Sequence, residues 1–494
     1  MVCAMIGPSR CPMLGPTSLT MSTPSANLLR AKTDSPVPVA EESDMQSPSW
    51  VSGSEHDRES NGVRHGCFSR RIVITDTVPD MFSALIHNAR LITLAGPDEP
   101  RRGDAMRSLS PIDRGYIAVD DEGRIAQVEP GDPPGEVQAP HVIDAQGRVV
   151  LPAFVDCHTH ACWAGERYDE FEQRLAGASY LDILKSGGGI MATVRAVRHT
   201  SEDELLELLR IRTGRMIALG TGACEIKSGY GLDTDTELKM LRAIDRLRRE
   251  SPLRIKATFL GAHALDPDQP DFIERTINET LPAVAREFPG ITCDAYCEEG
   301  AWSLEETRRL FEAALAHDLP LRVHADQFNA LGMTSLAVEM NAISVDHLEA
   351  TSPKDLEMLA RSDTFGVALP CSGFQLDDRY APARAFLDAG GALAIASNYN
   401  PGSAPTPSLP FTIALACRKL KLSVAEAFTA TTHNAACLLG IQDEVGSIQP
   451  DRRANLQMWD FTDERELPYE FATPGPLWTM LNGRIAHERR STQT

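Results

Sequence analysis

The chain has 494 residues, 42% of them apolar and 6% aromatic, and a formal net charge of −21. That length has room for one large domain and a second smaller one, around an ordinary globular core. The charge excludes a phosphate-backbone binder, which needs clustered Lys and Arg, so no nucleic-acid partner is expected. No segment approaches the ~20 consecutive apolar residues that cross a bilayer, so no membrane partner is expected either.

The 11 cysteines are scattered, and Cys157, Cys224 and Cys417 lie in apolar segments. They read as reduced, buried thiols of a cytosolic protein rather than a disulfide framework. Cys293 and Cys297 are four apart on a predicted strand and share a face, which reads as a core pair rather than a metal site.

In chain order, residues 1–80 are rich in Ser, Pro and Met and show no periodic apolar pattern. They lack the charged start and apolar core of a signal peptide and read as a disordered extension. Patterning begins at Met81 with "MFSALIHNARLITLAG", so the extension is expected to be dispensable. Over residues 81–150 short alternating segments appear ("ALIHNARLITL", "GYIAVDDEGRIAQV", "HVIDAQGRVVLP"), separated by Gly, Pro and Asp as in small antiparallel sheets. Residues 441–494 return to that style in "GSIQPDRRANLQMWD" and "LWTMLNGRIAH". The two flanks predict one small β-sandwich domain built from both chain ends.

Residues 151–440 alternate differently. Eight apolar runs ("VVLPAFVDCHTH", "GACEIKSGYG", "RIKATFLGAHA", "ITCDAYCEEG", "LRVHADQ", "AISVDHLE", "TFGVALPCSG", "ALAIASNYN") are separated by segments of helical periodicity such as "SEDELLELLRIRTGRMIAL". Eightfold strand–helix alternation predicts an α/β fold, the (β/α)8 barrel of TIM type. Active sites of that fold sit at the C-terminal strand ends. His158, His160, Glu225, His263, Glu298, His324, His347 and Asn398 all fall there. One such histidine would be a satisfied core residue; four histidine-bearing strand ends are not explained that way.

Strand residues two apart face one side, so His158 and His160 project together. With His324 from the fifth strand they form a candidate site for one divalent metal ion, zinc or iron. The ion would lower the pKa of bound water towards ~7. His347, closing the sixth strand in "VDHLE", is the candidate to take the water's proton and pass it to a leaving nitrogen. The eighth strand is expected to supply a remaining ligand, and where a metal hydrolase usually has a carboxylate this chain has Asn398. Arg167, in "ACWAGERYDEFE", is placed to clamp a substrate carboxylate. Tyr230 in "KSGYG" and His263 in "GAHA" are placed to orient a polar heterocycle. The triple glycine of "KSGGGI" lacks the context of a phosphate cradle and reads as a flexible loop over the barrel mouth.

Together "HTH…GER…AGASYLDILKSGGGI", "EIKSGYGL", "FLGAHA", "VHADQ", "VDHL" and "NPGSAPT" resemble the imidazolonepropionases of the amidohydrolase superfamily, from about Leu85 to the C-terminus. The resemblance implies a cytoplasmic step of histidine degradation, in which water opens 4-imidazolone-5-propanoate to N-formimidoyl-L-glutamate. It puts the metal positions on His158, His160, His324 and Asn398. It puts substrate contacts on Arg167, Tyr180, Tyr230, His263, Gln327, Asn400, Gly402 and Ser403, and proton transfer on His347 with Gln327 beside it. Arg167 would hold the propionate. Amidohydrolases of this build are often dimers, so the resemblance also implies a homodimer.

Two positions depart from the family pattern: Gln327, where Glu is frequent, and Asn398, where Asp is usual. An amide oxygen ligates a metal without charge and takes no proton near neutral pH. Asp326 and Glu298 are nearby carboxylates that do not hold the matching position. The departures define one alternative, a non-catalytic binding protein on the same fold. Another alternative is an amidohydrolase of a different heterocycle, such as a deaminase. Arg167 speaks against that, because deaminases of neutral bases need no carboxylate clamp.

Overall fold

A computed structural model of the chain describes residues 82–135, 137–178 and 188–489. The extension expected over residues 1–80, and Tyr180, lie outside these. The chain forms β1 (Ala84–Ile92), β2 (Pro111–Val119), β3 (Ile125–Pro130), β4 (His141–Asp144) and β5 (Val149–Pro152). Next come β6 (Phe154–Asp156), β7 (Thr221–Lys227), β8 (Arg254–Ala262), β9 (Thr292–Cys297), β10 (Leu321–Ala325), β11 (Ser344–His347), β12 (Phe365–Ala368) and β13 (Leu393–Ile395). The last strands are β14 (Leu456–Met458), β15 (Trp478–Leu481) and β16 (Arg484–Glu488).

Strands β6 to β13 pair in sequence order, all parallel, with helices between them. The ring closes at its C-terminal rim. Thr159 bridges Tyr399, the His160 amide donates to the Tyr399 carbonyl at 3.0 Å, and the Asn398 amide donates to the His158 carbonyl at 3.1 Å. Helices cover the outside and side chains fill the inside, so β7, β10 and β11 are buried at every residue. The flanks form a separate sheet of order β16-β15-β14-β5-β1-β2-β3, with β4 added to β1. Its apolar cluster joins residues of both chain ends, among them Ile86, Leu91, Ile117, Leu456, Trp478 and Met480.

The run "VVLPAFVDCHTH" reads in the sequence as one strand; the structure divides it. Val149–Pro152 pairs with β1 and β14, and Phe154–Asp156 pairs with β7. The changeover is sharp: the Ala153 amide donates to Asn455 of the small sheet and the Phe154 amide to Gly220 beside the barrel. Pro152, with no N–H to give, stands where the first ladder ends.

The helices begin where side chains can satisfy their free amides. Ser201 with Glu204 caps Glu202–Ala218, and Ser303 with Glu306 caps Leu304–Leu315, each through reciprocal hydrogen bonds. Ser303→Ala is expected to cost about 1 kcal/mol, read as a lower urea midpoint with unchanged slope. An unmoved midpoint would contradict it. Eight described cysteines are free, and Cys293 and Cys297 are both fully buried on β9. Among the described residues no helix is long and apolar enough to cross a membrane.

Candidate functional site

His158 and His160 follow β6, His324 lies on β10, and their candidate ligand atoms lie within 4.8 Å of one another. The Nε2 of His160 is 3.2 Å from Nε2 of His158 and 3.3 Å from Nε2 of His324. Behind the rings, His158 Nδ1 meets Asp346 Oδ2 at 2.5 Å and His324 Nδ1 meets Asp294 Oδ1 at 3.1 Å. A carboxylate at Nδ1 holds the ring proton there and leaves Nε2 as a bare lone pair. Burial also keeps the rings neutral. It drives His158 and His160 well below the ordinary histidine range, helped by Lys227 at the first and His263 at the second, and it lowers His324 too. The Nε2 lone pairs of His158 and His324 thus converge on His160 Nε2 at about 3 Å, an arrangement that suits a divalent cation.

Asn398 follows β13 with a φ of 56°, a left-handed conformation that Asn tolerates. Its backbone is tied to His158, and its Nδ2 donates to Ser372 Oγ at 2.7 Å. In that orientation Oδ1 is buried with no hydrogen-bond partner among the described residues. A buried acceptor in that state costs free energy unless something electropositive meets it, so Asn398 fits as an oxygen ligand. Asp326 and Glu298 are otherwise engaged. Asp326 Oδ2 accepts from Thr334 and Thr351, and Glu298 accepts from Phe328 and Asn329. Neither belongs to the histidine cluster.

His347 ends β11, its ring centroid 5.7 Å from His324 and 6.2 Å from His158. Its φ is 94° and that of Leu348 is 74°, a strained pair for residues with side chains. Its Nδ1 lies 3.4 Å from the carboxylate of Glu349, which leaves Nε2 for exchange. Gln327 Oε1 accepts from the Tyr296 hydroxyl at 3.0 Å. His263 stacks on His160 at 4.8 Å and 17°, with its Nδ1 2.9 Å from the Gly229 carbonyl, and burial lowers it to about 3. Tyr230 lies 5.1 Å from His263, and burial pushes its phenol up against the pull of Arg167.

Arg167 precedes the helix Tyr168–Leu175 and pairs twice with Glu170, Nε at 2.9 Å and Nη2 at 2.7 Å. The guanidinium lies over the loop after β13. A Cβ on Gly402 would come within 2.6 Å of Arg167 Nη1, so a larger residue there would make the guanidinium shift. Asn400 folds that loop: its Oδ1 accepts from the amides of Gly402 and Ser403, and its Nδ2 donates to Ser403 Oγ. Asn400 and Ser403 thus spend much of their hydrogen bonding on the loop itself, which shapes it for Arg167.

The sequence reading missed Asp294, Asp346, Glu349, Ser372 and Glu170, which hold the groups it did find. A signal existed for some of them. Asp346 and Glu349 stand in "VDHLE", and Glu170 is three residues after Arg167 in "GERYDEF", the spacing of neighbours on a helix.

An eight-stranded parallel barrel with imidazoles gathered at its C-terminal rim defines a metal-dependent hydrolase of the amidohydrolase class, and the profile described as Amidohydrolase family matches residues 149–486. Solved structures agree in fold. The 5-methylcytosine deaminase from Klebsiella pneumoniae liganded with 5-fluorocytosine superposes with a TM-score of 0.65 at 16% identity, covering 83% of this chain and 98% of that one. The adenosine deaminase from Xanthomonas campestris with bound Zn gives 0.61 at 15% identity, covering 82% and 93%. Sequence relatives are much nearer. Imidazolonepropionase of Herpetosiphon aurantiacus is 41% identical over 425 residues, 84% of this chain and 99% of the relative. Imidazolonepropionase of Chloroflexus aggregans is 42% identical over 418 residues, 81% and 97%. The chain belongs to the imidazolonepropionase family.

Proposed function

We propose that this rim hydrolyses the ring amide C–N bond of 4-imidazolone-5-propanoate, giving N-formimidoyl-L-glutamate. The observation that carries the reading is the convergence of the three histidine Nε2 atoms, and Arg167, which acts on Tyr230, is the group able to grip a carboxylate. His158, His160, His324 and Asn398 would hold one divalent ion, zinc or iron. When bound, such an ion supplies Lewis-acid charge that polarises a carbonyl oxygen and acidifies water.

This chain's own residues do the rest. Arg167 exchanges Glu170 for the substrate propionate, so the guanidinium stays paired in both states. Tyr230, His263 and Gln327 orient the ring, with Tyr180 assigned the same task by family likeness. Asn400, Gly402 and Ser403 shape the loop against which the propionate end lies. His347 accepts a proton from the attacking water as its oxygen bonds to the ring carbonyl carbon. It returns that proton to the ring nitrogen as the C–N bond breaks, and Glu349 steadies the transient imidazolium. Gln327 donates or accepts hydrogen bonds but exchanges no proton.

The non-catalytic alternative raised by Asn398 and Gln327, and the deaminase alternative, are not favoured by relatives of about 40% identity along most of the chain. The reading also takes a cytoplasmic setting, supported by the free cysteines, and a homodimer, carried by family likeness alone.

The direct test is incubation with 4-imidazolone-5-propanoate and identification of the product. A gain of one water with formation of N-formimidoyl-L-glutamate is expected, and an unchanged substrate under metal-replete conditions would overturn the reading. Arg167→Met is expected to raise KM about ten- to a hundredfold with kcat little changed, as loss of a charge-assisted pair to the non-reacting end implies. A fall in kcat at unaltered KM would contradict the clamp.

A further inference from the structure

Beneath the three histidines the barrel interior is charged, and apart from the two aspartates behind His158 and His324 no role above uses those charges. From His158 the contacts run to Asp346, whose Oδ2 also takes Arg322 Nη2 at 2.6 Å. Arg322 Nη1 reaches Glu225 Oε1 at 2.6 Å, and Glu225 Oε2 lies 2.8 Å from Lys227 Nζ. Lys227 reaches Asp294 Oδ2 at 2.7 Å, and Asp294 meets His324. This is one unbroken arc, His–Asp–Arg–Glu–Lys–Asp–His, that starts on one candidate ligand and ends on another. All five charged residues within it are at most 1% exposed. Thr258 and Ser344 hydroxyls hold its carboxylates at 2.5 Å.

Burying five charges is no route to stability, since well-packed apolar residues of similar volume generally do as well or better. The charge balance indicates another use. Three carboxylates against two cations leave one net negative charge, which is what the site lacks by having Asn398 in place of a carboxylate. Inside a low-dielectric barrel that charge acts over longer range than it would in water, and the two aspartates deliver it through the Nδ1 protons of the ligands. The cations are firmly engaged. Arg322 is held between Glu225 and Asp346, and Lys227 between Glu225 and Asp294.

We propose that Glu225, at the centre of this arc, is a positioning residue for the metal site, whose negative charge raises the affinity of the three histidines and Asn398 for a divalent ion. This rests on the reading that those residues hold the ion, which zinc binding by the unsubstituted apoprotein tests separately. If that protein binds no Zn2+, the metal-site reading fails; if Glu225→Gln binds as tightly as it does, only the role of Glu225 fails.

The experiment is a competition titration of Zn2+ against a chelating dye, with the melting temperature of each apoprotein beside it. Glu225→Gln is expected to weaken Zn2+ binding about 10- to 100-fold. Adding Asn398→Asp is expected to recover most of that loss, because the missing charge returns at the ligand itself. A structural role alone would lower the apoprotein melting temperature and leave the Zn2+ affinity unchanged, which would overturn the proposal. Lost affinity without rescue by Asn398→Asp would overturn it as well. Should Glu225→Gln fail to fold, Glu225→Gln with Lys227→Gln keeps the net charge of the arc at minus one. That pair is expected to bind Zn2+ as the unsubstituted chain does, and loss of binding in it would overturn the charge argument.

Discussion

Replacing His158 with alanine is expected to strip the protein of its metal and lower turnover by about three orders of magnitude or more. The ring meets His160 on one side and Asp346 on the other, so its removal takes away a ligand and leaves Asp346 facing a cavity. Loss of Lewis-acid stabilisation is worth several kcal/mol of barrier, at a tenfold rate loss for each 1.4 kcal/mol or so. Elemental analysis after gel filtration, run beside the turnover assay, checks both parts. Full metal content with undiminished turnover in His158→Ala would remove this residue from the site.

His347→Gln separates chemistry from metal binding. Its ring centroid lies 5.7 Å or more from those of His158 and His324, and its Nδ1 faces Glu349 rather than the cluster. The variant is therefore expected to keep its metal and lose about 10²- to 10⁴-fold in kcat, the usual worth of a positioned general acid–base. Loss of metal together with activity would instead make His347 a ligand.

The barrel was legible because eight apolar runs alternate with capped helical periods, and the Ser201 and Ser303 caps sit where those periods begin. The division of the first run was not, since Pro152 is the sole break in "VVLPAFVD" and the change of sheet depends on Asn455, three hundred residues later. At the site, residues that announce their chemistry were readable: the "HTH", the histidines closing strands, and the neutral Asn398. The groups that set their state were harder to see. Arg322 is two residues before His324 and Lys227 two after Glu225, so strand geometry alone puts each pair on one interior face. Charged residues in a strand read at first as exposed, and their partners come from other strands, as Asp294 and Asp346 do. Ser372, which meets Asn398 from the helix Pro370–Leu376 after the seventh barrel strand, carries no local signal.

The central claim is that one divalent ion, held by three neutral histidines and the oxygen of Asn398, supports hydrolysis of 4-imidazolone-5-propanoate. The measurement that tests it most directly is turnover of that compound by chelator-stripped protein as Zn2+ or Fe2+ is returned in steps. Activity is expected to start near zero, rise in proportion to bound metal and level off at one ion per chain. Full turnover in the stripped protein, or none after one ion per chain has bound, would contradict it.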